Sequence, residues 1–211
     1  MSVNRIQSLW SIFNSVCCPI NYLTSNTLDQ WIGNKNLHPA FQYLSSVHQA
    51  DYLRCYVMHH FGGGYTDIKP TWKNWNPFFD NVHKTASYGA GYQEIGPGGI
   101  AQVGGELQVE MQRDFESIIG YCAFIFRAKT ILTEEWLELT NQLLSQKLKL
   151  LKSNPARHPL DQTGFLHSDG SISTYPLKWT EIGGNIFHPL VYKNSSKIIQ
   201  LDMQPDFINY R

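Results

Sequence analysis

Apolar residues recur at three- and four-residue steps between Ser46 and His60: Val47, Ala50, Leu53, Tyr56 and Val57 form one stripe. That period predicts a helix with this stripe buried. Gly62 stands where a helix takes its C′ residue, and Tyr65 to Ile68 then enters a strand. Tyr121 to Phe126 (YCAFIF) is a continuous apolar run, as expected of a central strand buried on both faces. Arg5 to Trp10 and Pro19 to Ser25 read as two short opening strands. Thr27-Leu28-Asp29-Gln30 has a capping-box pattern and predicts a helix ending near Gly33, and Pro39 suits the first turn of another. The glycine-rich stretch 89–105 predicts loop or irregular strand. Thr133 is expected to cap a helix with Glu134 and Glu135 in its first turn and Lys147, Lys149 and Lys152 at its end. Residues 160–211 read as loops and short strands. Alternating strands and helices predict an α/β protein.

At 211 residues the chain is expected to form one domain, 1–211, whole or as the N-terminal domain of a longer chain. Lys plus Arg and Asp plus Glu both number 17. A neutral chain lacks the basic face that sequence-blind nucleic-acid binding needs, and it offers no polybasic membrane anchor. With 42% hydrophobic and 16% charged residues it is too apolar for disorder. Four cysteines without a CxxC, two of them adjacent (Cys17, Cys18), predict reduced thiols rather than a disulfide framework or structural zinc. No apolar run is long enough to span a membrane. The N-terminus lacks the apolar segment of a secretory leader, so a cytoplasmic protein is expected.

Chemistry concentrates in Ala50 to Lys69, ADYLRCYVMHHFGGGYTDIK. Asp51 and Arg54 lie three apart and share a helix face distinct from the Leu53/Val57 stripe. After the glycines, Tyr65 and Asp67 alternate with Thr66 and Ile68, so 65 and 67 point the same way. A carboxylate at a strand end lies where α/β sheets bind ligands. The four residues either converge on a polar ligand or amount to a surface ion pair, a glycine cap and an unremarkable strand-end acid.

The segment resembles the sugar-binding region of DXD-type glycosyltransferases, those of family 32 and the clostridial glucosylating toxins. Their pattern is a helix with Ser/Ala-Asp-x-x-Arg followed by Gly-Gly-x-Tyr-x-Asp-x-Asp. The matching residues are Ala50, Asp51 and Arg54, then Gly63-Gly64-Tyr65-Thr66-Asp67-Ile68-Lys69. The match covers about twenty residues; weaker similarity extends to Trp75-Asn76-Pro77-Phe78, YCAFIF and Phe187-His188-Pro189. Length and details also resemble the N-terminal domains of large algal-virus glycosyltransferases, in which case the compartment would be the host cytoplasm. The resemblance implies a GT-A-like nucleotide-diphospho-sugar transferase fold, a mixed and mostly parallel sheet flanked by helices. It implies a retaining transfer of a hexose or deoxyhexose from a UDP-sugar to a glycan or glycoprotein acceptor. Asp51, Arg54, Tyr65 and Asp67 would bind the donor, joined by Ser8, Leu9 and Trp10 at the end of the first strand. Trp10 would either stack on the uracil ring or fill the core.

The departure is Lys69, which replaces the Asp that normally ligates the metal. A divalent ion about 5 Å from an ammonium meets roughly 7 kcal/mol of repulsion at an effective dielectric of about 20. Lys69 therefore turns away or takes over part of the metal's work on the diphosphate, a catalytic role alongside Asp67. The expected metal is Mn²⁺ or Mg²⁺, weakly held without nucleotide, on Asp67 and a C-terminal histidine: His188 first, His167 second, with Asp161 nearby in sequence. Two other readings compete. A glycosidase needs two paired carboxylates, for which Glu94 and Glu106 are candidates. A carbohydrate-binding module needs only stacking aromatics and no phosphate site.

Overall fold

A computed structural model describes residues 3–24, 26–33 and 37–207. Helices α1 (Val3–Ser15) and α2 (Leu28–Ile32) lead into α3 (Ser46–His60) and strand β1 (Gly63–Thr66). Then come α4 (Asn76–Lys84), β2 (Gly89–Gln93), α5 (Gly105–Arg113), β3 (Ile119–Phe126), α6 (Ile131–Ser153), α7 (Gly184–Lys193) and β4 (Ile198–Gln200). The described strands form one sheet in the order β1-β3-β2-β4. β3 is antiparallel to both β1 and β2, and only β2 and β4 run parallel. The protein is mixed α/β with helices on both faces. The expected mostly parallel sheet is corrected: two of three pairings are antiparallel.

β3 is the central strand, as its apolar run predicts. Phe124 and Phe126 enter a core with Trp136, Phe187, Met58 and Met111 on one face. Ala123 and Ile125 enter a second core with Ile12, Val16, Trp75 and Val82 on the other. Side chains alternate along a strand, so a strand covered on both faces must be apolar at every position. A third cluster (Tyr52, Tyr56, Leu144, Leu151, Tyr175) joins α3 to α6.

α3 spans the predicted residues, with the Ser45 side chain accepting from His48 N at its start. At its end Gly62 has φ +66°, and a Cβ there would stand 2.7 Å from Ala128 N. Glycine alone satisfies both the left-handed backbone and that close approach. The buried face is not the predicted one: Asp51, Tyr52, Arg54, Cys55 and Met58 are buried, whereas Ala50 is exposed and Val47, Leu53 and Val57 half-buried. Of the predicted stripe only Tyr56 is fully buried.

Other expectations fail locally. Arg5 to Trp10 lies in α1, not a strand; Val3, Ile6, Trp10 and Phe13 carry a helical period, on its exposed side. Residues 19–24 form no strand, and Ser25 lies outside the described residues. Pro39 precedes a 3₁₀ turn, Phe41–Tyr43, rather than an α-helix. Thr27 and Gly33 do bracket α2, though the Thr27 side chain makes no cap bond to it. The fourth helix of the sequence reading is α6, which starts earlier than expected, with Thr130 as N-cap and Thr133 reciprocating in a capping box. The 160–211 region holds a helix, α7, as well as β4, and 208–211 lie outside the described residues.

Candidate functional site

Three elements bring charged side chains to the C-terminal end of β1. α3 contributes Asp51 and Arg54, the β1 strand and the turn after it contribute Tyr65, Asp67 and Lys69, and β3 contributes Tyr121 and Cys122. The register places Tyr65 opposite Phe124 and Thr66 opposite Ala123. Asp67 N then donates to Cys122 O at 2.8 Å, so the turn carrying Asp67 continues the ladder before leaving it.

Arg54 is the hub. Its Nη1 donates to the Tyr121 carbonyl at 2.9 Å, and Nη2 to the Tyr65 hydroxyl at 2.7 Å and to Asp67 Oδ1 at 3.2 Å. Asp51 Oδ1 stands 3.5 Å from the same nitrogen. The guanidinium carbon lies 4.2 Å from the Tyr65 ring centroid and 4.0 Å from that of Tyr121. A weakly hydrated planar cation between two aromatic faces tolerates burial better than an ammonium would. The Tyr65 hydroxyl donates in turn to Asp67 Oδ1 at 2.6 Å. Lys69 donates to Asp67 Oδ2, and its Nζ lies 3.4 Å from Cys122 Sγ and 5.5 Å from the Phe207 ring centroid.

The two carboxyls titrate in opposite directions. Burial pushes Asp51 up, and Arg54 offsets this only in part. Burial also pushes Asp67 up, but Arg54 and Lys69 outweigh it and hold the carboxyl below its usual value. Burial lowers Lys69, and Asp67 overcomes that and raises it. Asp67 is the more open member of the pair, with 23% of its side chain exposed against 8% for Lys69.

A cavity of about 430 Å³ adjoins the cluster. Arg54, Tyr65 and Thr66 form its polar edge, and Leu9, Leu53, Val57 and Trp75 are among its apolar walls. Ala50, Leu53 and Val57 of the α3 stripe that the sequence pattern assigns to the core line this space instead.

Asp51, Arg54, Tyr65 and Asp67 therefore meet, and Lys69, for which the sequence left two orientations open, turns toward Asp67. Leu9 reaches the adjoining cavity. Ser8 is buried and donates to Asn4 O within α1. Trp10 is 61% exposed, which removes the core reading, and it is not among the cavity walls. His188 is engaged elsewhere: its Nδ1 accepts from Ala101 N at 3.0 Å, and Nε2 faces Glu94 at 3.7 Å. Burial depresses the His188 imidazole to about 4. His167 and Asp161 face each other at 3.8 Å. Glu106 lies exposed in the first turn of α5, while Glu94 is buried against His188. Among the described residues no three His, Cys, Asp or Glu side chains are grouped to hold a metal. The donors present do not suit a divalent ion as arranged, because both Asp67 oxygens already accept from Tyr65, Arg54 and Lys69. The sequence reading missed Tyr121 and Cys122. The signal lay in the YCAFIF run itself, whose first two residues combine a polar tip and a thiol with strand alternation.

No protein-family model matches the chain, and no curated protein or solved structure matches it either. Among the described residues no helix is long and apolar enough to cross a membrane.

Proposed function

We propose that this protein is a glycosyltransferase that moves a hexose or deoxyhexose from a UDP-sugar to a glycan or glycoprotein acceptor. The observation that carries the reading is the convergence of Asp51, Arg54, Tyr65 and Asp67 on one charged cluster beside a cavity. A cavity of this volume with a few polar groups at one edge suits a nucleotide-sized ligand. Its apolar walls would receive the nucleoside, and Arg54 and Lys69 would face the diphosphate. Cleavage of the sugar–phosphate bond leaves negative charge on that diphosphate, and fixed cations stabilise it without reorganisation. Asp51, beside Arg54, would accept hydrogen bonds from sugar hydroxyls. Retention follows if acceptor and leaving group share one face of the sugar, a course that requires no protein nucleophile.

Release of UDP from a panel of UDP-sugars, with water or glycans as acceptor, tests the reading. Asp67→Asn should lose at least about tenfold in turnover with the fold intact, the scale of one strong charged contact. Unchanged turnover in a folded Asp67→Asn variant overturns the assignment.

A further inference from the structure

We propose that the cation of this site is built into the chain: Lys69 and Arg54 together stand in for a divalent metal, and the site takes its diphosphate without one. The inference rests on the UDP-sugar reading above. Three observations carry it. Both Asp67 oxygens are already engaged by donors. Oδ1 accepts from the Tyr65 hydroxyl and from Arg54, and Oδ2 accepts from Lys69. A hard cation competes for those lone pairs, and among the described residues neither His188, whose Nδ1 accepts from Ala101 N, nor His167 is grouped with Asp67 into a set of three possible ligands. Among the described residues the charge is also already balanced, because two carboxylates (Asp51, Asp67) meet two cations (Arg54, Lys69). An added divalent ion would leave the cluster doubly positive. Finally, Lys69 is held in place. Its side chain is 92% buried between Asp67, Cys122 and Phe207, and Lys69 N donates to Asp67 O at 2.7 Å. Two residues on, Thr71 N donates to Ser11 Oγ at 3.0 Å and ties the same turn to α1. Turning the ammonium away would break its contact with Asp67 Oδ2 and leave that carboxylate with Arg54 alone as its cation. Asp67 thus holds one cation on each oxygen, and an arriving diphosphate exchanges carboxylate contacts for phosphate contacts.

The test combines calorimetric titration with UDP, in excess Mn²⁺ or in EDTA, with Mn²⁺ titration followed by electron paramagnetic resonance. Wild type should bind UDP equally in both, within about twofold, and should take up no stoichiometric Mn²⁺. Lys69→Gln should weaken UDP about tenfold, and Lys69→Asp should tighten Mn²⁺ at least about tenfold over wild type. A tenfold loss of UDP affinity in EDTA, or stoichiometric Mn²⁺ uptake by the wild-type chain, overturns the inference. Both decisive measurements use the wild-type chain, so a variant that fails to fold leaves them intact. If UDP binds under neither condition the glycosyltransferase reading falls, and the Mn²⁺ titration still decides whether the chain carries a metal site.

Discussion

Replacing Arg54 by alanine probes the cluster most directly. The side chain makes three hydrogen bonds, to Tyr121 O, Tyr65 Oη and Asp67 Oδ1, and stacks between two rings. Charged hydrogen bonds at about 1.5–3 kcal/mol each come to roughly 5–9 kcal/mol gross. Desolvating the guanidinium opposes this by several kcal/mol, and the variant escapes that cost. What it cannot escape is Asp51, buried and already pushed up, left without its principal counter-charge. The expected net loss is about 3–5 kcal/mol near pH 7, the scale for breaking a buried pair. The pH dependence has a definite sign. In wild type Asp67 is depressed, so its contribution holds above the ordinary carboxylate range and is lost as pH falls through its lowered value. In Arg54→Ala the Asp51 carboxyl rises further, and its penalty is relieved as pH falls. The gap between the two proteins should therefore be widest near pH 7 and narrow towards about pH 4. Urea unfolding followed by circular dichroism at both values measures it. Arg54→Lys, which keeps the charge but not the planar fork, should lose less, about 1–3 kcal/mol. A gap below about 1 kcal/mol, as for an exposed pair, or one that does not change with pH, would refute the buried-network argument.

Other outcomes follow from the same structure. His188, depressed to about 4, stays neutral in the fold but charges on unfolding, so its contribution is lost as pH falls from about 6.5 to about 4, by about 3 kcal/mol. Glu94, pushed up by burial, offsets part of this, and His188→Gln should flatten the wild-type slope; an identical slope would remove His188 as its source. Gly89→Ala should cost at least about 2 kcal/mol, because its Cβ would lie 2.3 Å from the Ile125 carbonyl oxygen, whereas Gly96→Ala meets nothing within 4 Å and should stay within about 0.5 kcal/mol. Equal melting temperatures for the two would contradict the β2–β3 packing. In the native protein iodoacetamide should label exposed Cys17 first. Cys55, buried and pushed up to about 12, should react only after unfolding, and mass spectrometry of the timed digest decides between them.

Much of the site was legible along the chain because its signals are local. The three-residue step from Asp51 to Arg54 puts them on one helix face whatever surrounds the helix, and Tyr65 and Asp67 also meet on one side, although β1 ends at Thr66, sooner than the expected strand, and Asp67 continues its ladder by one bond to Cys122 O. The glycine after α3 and the unbroken apolar run of β3 likewise report constraints that act within a few residues. The opening strand failed on period rather than on composition. Residues 3, 6, 10 and 13 repeat at helical steps, but the side of α1 that faces the protein is formed by Ser8, Ser11 and Ile12.

Which face of α3 turns inward is a tertiary decision. Periodicity finds the apolar stripe, but the helix buries its charged side, because Arg54 can be satisfied there by Tyr65, Asp67 and the Tyr121 carbonyl, partners supplied by β1, the turn after it and β3. Ala50, Leu53 and Val57 of the apolar stripe are left to line a cavity. Strand direction is likewise absent from the apolar run, since burial on both faces permits parallel or antiparallel neighbours, and β3 takes antiparallel ones on both sides. The sequence also leaves Lys69 two choices beside Asp67. Packing settles the matter: with Cys122 and Phe207 around it, the buried ammonium has its counter-charge in Asp67, and desolvation makes that pairing far cheaper than an unpaired buried charge. The chain alone therefore determined which chemical groups share a face. The tertiary structure decided which face is buried and which charges neutralise one another, because those outcomes depend on partners distant in sequence.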